Sequence, residues 1–228
     1  MVEGILAGIY FYTFPRDCGC SQKMKNERRD NMLFNKKMLL ERAKSFGYFA
    51  AANEKVAMDG LDVVHESVST SRRFDIFLSH SYADREAVKG LADMLEKDFK
   101  LSVYLDWIVD PALDRTRVNK DTAEVLRNRL NHCKCLWYVT SHTSETSKWM
   151  PWETGYADGH SGKVAICPLV DGNTSNFGGL EYLSLYPYVD IAKANGSNSN
   201  SLWINESPDR YCSFDSWLNN NAKPMDHK

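Results

Sequence analysis

The chain has no excess of positive charge: 28 Lys and Arg stand against 30 Asp and Glu, for a net charge of −2. A phosphate-backbone binder ordinarily presents a basic face, so nucleic acid is not an expected partner. Long apolar runs are missing too. Gly4 to Phe14 is apolar over eleven residues, whereas a helix crossing a bilayer needs about 20. Glu3 precedes it where a signal peptide would carry basic residues. The stretch reads as a partner-binding arm or an ill-defined terminus, and no membrane association is expected. Cysteine is sparse, at six residues, and forms two Cys-x-Cys pairs, Cys18/Cys20 and Cys133/Cys135. Zinc spacing usually has at least two intervening residues, and no histidine pair completes either set, so no metal site is expected. Reduced cytosolic thiols are the reading that remains. Gly178-Gly179 has no phosphate-loop pattern around it, and neither Ser79 nor Ser141 sits in a Gly-x-Ser-x-Gly elbow.

What is present is globular: 43% hydrophobic and 25% charged residues in 228, enough for one domain with an appendage. Residues 16–30 form a solvated segment. From about Asn31 to Ser67 helical spacing takes over, with Leu39, Ala43 and Phe46, then Phe49, Ala52 and Val56. Breaks at Gly47 and Gly60 divide this into two or three helices, an appendage within residues 1–70. Its apolar faces either pack on the main domain or form an oligomerisation surface.

After a polar connector the period changes. Phe74 to Ser79 is a compact run of strand formers, and Asp84 is placed to cap a helix carrying Val88, Leu91, Leu95 and Phe99. Leu101 to Leu105 is a second strand. A helix over Asn119 to His132 leads into a third strand, Cys135 to Thr140, and Lys163 to Val170 supplies a fourth. Alternation of this kind specifies βαβ units, a parallel sheet and helices on both faces. Tyr182 to Ile191 offers a fifth strand that Pro187 would confine to an edge. Lys193 to Ser201 reads as an Asn/Ser/Gly loop, and Ser213 to Leu218 as a last helical turn.

One stretch stands out, Lys148 to Gly159. Ser147 can cap it, Pro151 is tolerated in a first turn, and Gly159 is a plausible stop. Trp149, Glu153 and Tyr156 share one helical face, with Trp152 on another part that reads as core. A carboxylate between two aromatics is either paired and structural or lines a site for something flat and polar. The helix opens at the carboxyl edge of the sheet, where ligands bind in such folds.

The order of these motifs resembles the Toll/interleukin receptor (TIR) domain family. Phe74-Asp-Ile-Phe-Leu-Ser-His80 resembles its opening strand, and Val103-Tyr-Leu-Asp106 its second strand and the loop that follows. Trp149-x-x-x-Glu153 is similar to the Trp and Glu of its NAD-cleaving members. The resemblance covers roughly residues 72–192 and implies a flavodoxin-like α/β domain over 71–192, with residues 193–228 as a loop and C-terminal extension. It implies that Glu153 is catalytic and that NAD⁺ is a substrate, with no cofactor needed. His80, Ser81 and Tyr82 would border the nucleotide, Asp106 and Trp107 would open a loop over the site, and Trp149 and Tyr156 would wall it. The loop after the first strand lacks the arginine found in some members, so Arg85 or Arg115 would have to serve a phosphate.

No membrane span, long receptor region, sensor or effector domain accompanies the motifs, and the chain is similar to the stand-alone bacterial, Thoeris-like TIR proteins of antiphage defence. That likeness implies a cytoplasmic enzyme releasing nicotinamide and an ADP-ribose product, linear, cyclic or conjugated. It further implies self-association and a separate effector that reads the product. Two other classes remain open from the residues alone: a non-catalytic TIR adaptor, and a nucleoside deoxyribosyltransferase-like enzyme using a Glu at a glycosidic bond.

Overall fold

The computed structural model describes residues 31–44, 72–105, 119–141, 147–172, 181–194 and 197–227. Its centre is the pair Phe74–Ser79 (β2) and Cys133–Thr140 (β4), parallel and in register from Phe74↔Cys133 to Ser79↔Tyr138. Both strands are apolar on both sides, as strands covered by two helical layers must be. Trp137 and Val139 turn to one face of the sheet, Leu136 and Tyr138 to the other. Ile76 and Leu78 likewise oppose Phe77.

Val103–Tyr104 (β3) lies outside β2, while Val164–Val170 (β5) and Tyr188–Lys193 (β6) continue the sheet beyond β4. These five parallel strands therefore run second, first, third, fourth, fifth, which is the flavodoxin-like order. Their helices divide between the two faces. Arg85–Asp98 (α2) buries Val88, Leu91 and Leu95 on the face of Ile76 and Trp137. Lys120–Asn131 (α3) and Trp149–Ser161 (α4) cover the face of Phe77 and Leu136. Asn119 starts α3 by accepting the Thr122 amide at 2.8 Å. Gly162, at φ +64°, ends α4, three residues past the predicted Gly159 stop: its N–H reaches the carbonyls of Ala157 and Asp158.

Three parts of the sequence reading need correction. First, residues 34–35 form a strand where helix was expected, while 36–44 take the first of the two expected arrangements and pack on the main domain. Phe34–Asn35 (β1) pairs with Leu169 and Val170 of β5, and Met32 bridges to Ile191 of β6. β5 and β6 meet only at Ile166↔Tyr188, so this segment bonds to both strands beyond that pair. The helix that follows over residues 36–44 (α1) packs on α2. The remaining expected appendage, 45–70, lies outside the described residues.

Second, β6 is an interior strand. Pro187 falls just before it, where its missing N–H costs nothing, and its carbonyl accepts Ile166 N–H at 2.8 Å. Third, the sheet does not stop near residue 192. Asn200–Ser207 (β7), Arg210–Ser213 (β8) and Met225–Asp226 (β9) extend it antiparallel, and Phe214–Asn220 (α5) returns to the core. Phe214 meets Trp137 edge-on at 5.2 Å, while Phe34 approaches the same indole at 6.1 Å. Both ends of the described chain thus close on the central strand. No helix among the described residues is long and apolar enough to cross a membrane.

The docking of α1 on α2 depends on Gly90. A Cβ there would lie 2.0 Å from the Leu39 carbonyl oxygen, and backbone cannot swing aside as a side chain can. Arg42 fixes the far end with a forked pair of bonds to Asp98, 2.8 and 2.9 Å, and a further one to Asp93. Gly→Ala in a solvated helix stabilises by about 1 kcal/mol. Gly90→Ala is expected to reverse that sign and destabilise by about 2–3 kcal/mol through overpacking, read as a lower urea midpoint.

Candidate active site

The adjacency of β2 and β4 is the place where the strand order reverses, and crevices at such points take ligands in open α/β sheets. Strand parity decides what faces it. Ser79 follows Phe77 at a spacing of two and therefore looks toward α3 and α4. Glu153, one turn into α4, comes down on the same spot, and the Ser79 hydroxyl donates to its Oε2 at 2.6 Å. Both side chains are completely buried, at 0% exposure. Ser147 and Pro151 suit the helix start: the Met150 amide donates to Ser147 Oγ at 3.3 Å, and Pro151 sits in the first turn.

The other side of the sheet, at the same two strand ends, holds a second carboxylate. Asp84 closes the short 3₁₀ turn Tyr82–Asp84, but its side chain does not cap α2. It turns inward, where Ser81 Oγ donates to it at 2.7 Å, Ser141 Oγ lies 2.7 Å from each of its oxygens, and Lys36 Nζ approaches at 2.8 Å. Burial by itself would push the Asp84 carboxyl up; Lys36, Ser141 and Ser81 outweigh it and hold it below its ordinary value. Ser141 belongs to the same parity as Val139, hence to the α2 side.

The other expected site residues distribute as follows. His80 is buried; its Nδ1 lies 2.8 Å from the Leu78 carbonyl, which can only accept, so Nδ1 carries the proton. Ser81 is buried on Asp84. Tyr82 is 79% exposed on the rim, its ring under the Arg85 guanidinium at 4.4 Å and its hydroxyl bonded to the same group. Trp149 is buried among core residues with Met150, while Trp152, read as core, is only half-buried against it at 5.4 Å.

Tyr156 is not brought to the Ser79–Glu153 pair. It stacks between Trp152 and His160, and its hydroxyl donates to Asn131 at 2.8 Å, near the amino end of β4. Helix twist carries i+7 a full two turns from the opening edge. Asp106 and Trp107 lie outside the described residues, as does Arg115. Sequence reasoning missed Ser79 as a partner of Glu153, and it missed Asp84, Ser141 and Lys36 as a group. The spacing Ser81-x-x-Asp84 was the local signal available for part of that group.

Cys135 and Cys167 are buried in β4 and β5, and burial pushes both thiols far above their ordinary range. Such protonated thiols are poor metal ligands. Among the described residues no three His, Cys, Asp or Glu side chains gather as a metal site would require.

The strand order and the helices on both faces define a flavodoxin-like α/β domain. Comparison with known proteins narrows the class. The TIR domain family matches residues 76–201, more than half of the chain. A Bacillus cereus (strain MSX-D12) protein named "Probable 3' cyclic ADP-D-ribose synthase ThsB'" is 40% identical over 171 residues, covering 75% of this chain and 88% of that protein. A Cytobacillus dafuensis protein named "Putative cyclic ADP-D-ribose synthase TIR2" is 31% identical over 102 residues, 44% of this chain and 26% of that protein. The chain belongs to the TIR domain family.

Two measurements follow from the buried carboxylates. Ser79→Ala removes a hydrogen bond to a buried carboxylate and is expected to cost about 1.5–3 kcal/mol in urea unfolding. The Asp84 carboxyl is held below its ordinary value in the folded protein. A folded value below the unfolded one contributes stability above the ordinary aspartate range, near about 4, and loses it as pH falls through the folded value. Asp84→Asn should therefore flatten the loss of stability between neutral and acid pH, seen as a smaller drop in thermal midpoint.

Proposed function

We propose that this TIR protein cleaves NAD⁺ at the nicotinamide–ribose bond and closes the remaining ADP-ribose into a cyclic product that acts as a signal in antiphage defence. The observation that carries the reading is the Ser79–Glu153 pair, wholly buried at the switch point of the sheet. The relatives named as cyclic ADP-D-ribose synthases give the same reaction class, the B. cereus protein over most of its length.

The chemistry suits such a site. The C–N bond breaks with its electron pair moving to the nicotinamide nitrogen, which neutralises the pyridinium and leaves an oxocarbenium-like ribose. An anionic carboxylate held in a water-poor crevice stabilises that cation far better than it would in water. Glu153 is the residue assigned to it, with Ser79 fixing its direction. If water attacks the cation, the product is ADP-ribose. If a hydroxyl of the adenosine ribose attacks, the product is cyclic, and the hydroxyl proton passes to a base. The 3′ hydroxyl is the nucleophile that the name of the B. cereus protein indicates. Exclusion of water therefore selects cyclisation over hydrolysis.

His80 and Ser81 follow Ser79 in sequence, Tyr82 and Arg85 form the exposed rim, and Trp149 backs the start of α4. Asp106 and Trp107 belong to the same proposal through the loop after β3. The protein acts in the cytoplasm, where NAD⁺ is supplied, associates with further copies of itself, and reaches a separate effector only through its product.

Full-length protein incubated with NAD⁺, alone and with a crowding agent, is expected to release nicotinamide. Mass spectrometry should show a product one water lighter than ADP-ribose. Glu153→Gln is expected to slow release by about 10²–10⁴-fold. Unchanged turnover in that variant would remove Glu153 from the chemistry, and no release in any assembled state would leave the non-catalytic adaptor reading.

A further inference from the structure

We propose that Asp84 is a positioning residue of this site: its buried carboxylate, anchored by Lys36, straps the segment after β2 to the segment after β4 and fixes the floor on which Ser79 and Glu153 meet. The inference rests on the NAD⁺-cleaving reading of the crevice, and it goes beyond that reading because Asp84 acts through its neighbours.

Three parts of the chain converge on one carboxylate that is 1% exposed. Ser81, two residues beyond Ser79, donates to Oδ2, and Ser141, the residue after β4, reaches both oxygens. Lys36 arrives from the first turn of α1 and meets Oδ1 at 2.8 Å, its own side chain 25% exposed. An aspartate at a helix start usually spends its oxygens on backbone amides of the first turn. Asp84 makes no such bond and spends them across the crevice instead.

The strap is firm because its anchor is. α1 cannot slide along α2 while its Leu39 carbonyl sits in the space left by Gly90 and Arg42 holds Asp98 and Asp93. β1 fastens the other end of that segment to β5. Lys36 is thereby delivered to a fixed point, and it holds Asp84 ionised, as the lowered carboxyl value reflects. An ionised Asp84 accepts from both serines at once. The two strand ends that bound the crevice are then held at one separation, one side carrying Ser79. Catalytic rates respond steeply to such placement: a shift of about 1 Å can cost about 100-fold.

The test compares the full-length wild type with Asp84→Asn, Lys36→Met, Lys36→Arg and the Lys36→Met/Asp84→Asn double variant. Nicotinamide release gives kcat and KM, NAD⁺ affinity is measured in the Glu153→Gln background, and thermal unfolding sets the folded fraction. Asp84→Asn keeps size but not charge, and is expected to lower kcat by roughly tenfold or more with KM and NAD⁺ affinity within about twofold. Lys36→Met should give a smaller loss and Lys36→Arg should retain the activity. The double variant should be no worse than Asp84→Asn alone, because both changes act through one contact.

A fully folded Asp84→Asn with wild-type kcat overturns the proposal. So does a loss that tracks the unfolded fraction and recovers on cooling. If Asp84→Asn does not fold, Ser141→Ala carries the same comparison, since it leaves Asp84 paired with Lys36 and Ser81. Hydrogen exchange separates this inference from the enzymatic reading. Faster exchange in peptides spanning 79–81 and 140–141 of Asp84→Asn supports the strap even if the wild type releases no nicotinamide, and unchanged exchange there sinks it whatever the wild type does.

Discussion

Two carboxylates taken out of water at the junction of β2 and β4 set the terms for what surrounds them. A buried carboxyl group is tolerated only where hydrogen-bond partners are brought to it, and those partners come from distant parts of the chain. Ser79 reaches Glu153 across 74 positions, and Ser141 and Lys36 reach Asp84 across 57 and 48. Strand parity makes this possible without crowding. Consecutive residues at a strand end look to opposite faces, so the same crevice edge can serve α4 on one side and α2 on the other. The sheet order supplies the gap; the alternation within each strand supplies the chemistry on either side of it.

The site also explains why the ends of the described chain fold inward. Phe34 and Phe214 flank Trp137 from opposite directions in sequence, and Trp137 lies on β4 one turn of pleat below the residues that border the crevice. Removing either flank would leave a large indole facing water. Segment 31–35 adds hydrogen bonds to β5 and β6 where those two strands part. Positions far from the reacting groups thus carry the rigidity that an electrostatic site demands.

Much of the fold was legible because its signals are local. Phe74 to Ser79, Val164 to Val170 and the Lys120–Asn131 helix all emerged near their observed bounds. Glu153 stood out because a lone acid on an aromatic face breaks the pattern of its own helix. What the sequence concealed depended on pairing across long separations. Residues 34–35 are too few to read as a strand, and nothing in Lys36 itself points to Asp84. Pro187 argued for an edge, yet a proline just ahead of a strand needs no ladder bond, and β6 is covered on both sides. Tyr156 shares a face with Glu153 on a helical wheel, but a wheel has no axial coordinate. The length of α4 takes the Tyr156 hydroxyl to Asn131 instead.

The two ends of the sheet carry one more consequence. β3 and β9, the outermost strands on the path, are each two residues long, and Arg210 and Asp226 pair at the β8–β9 end. Among the described residues there is no extended row of open backbone donors and acceptors on which another chain could continue the ladder. A copy meeting either of these two short edges would gain few main-chain bonds, so contact there would depend on side chains.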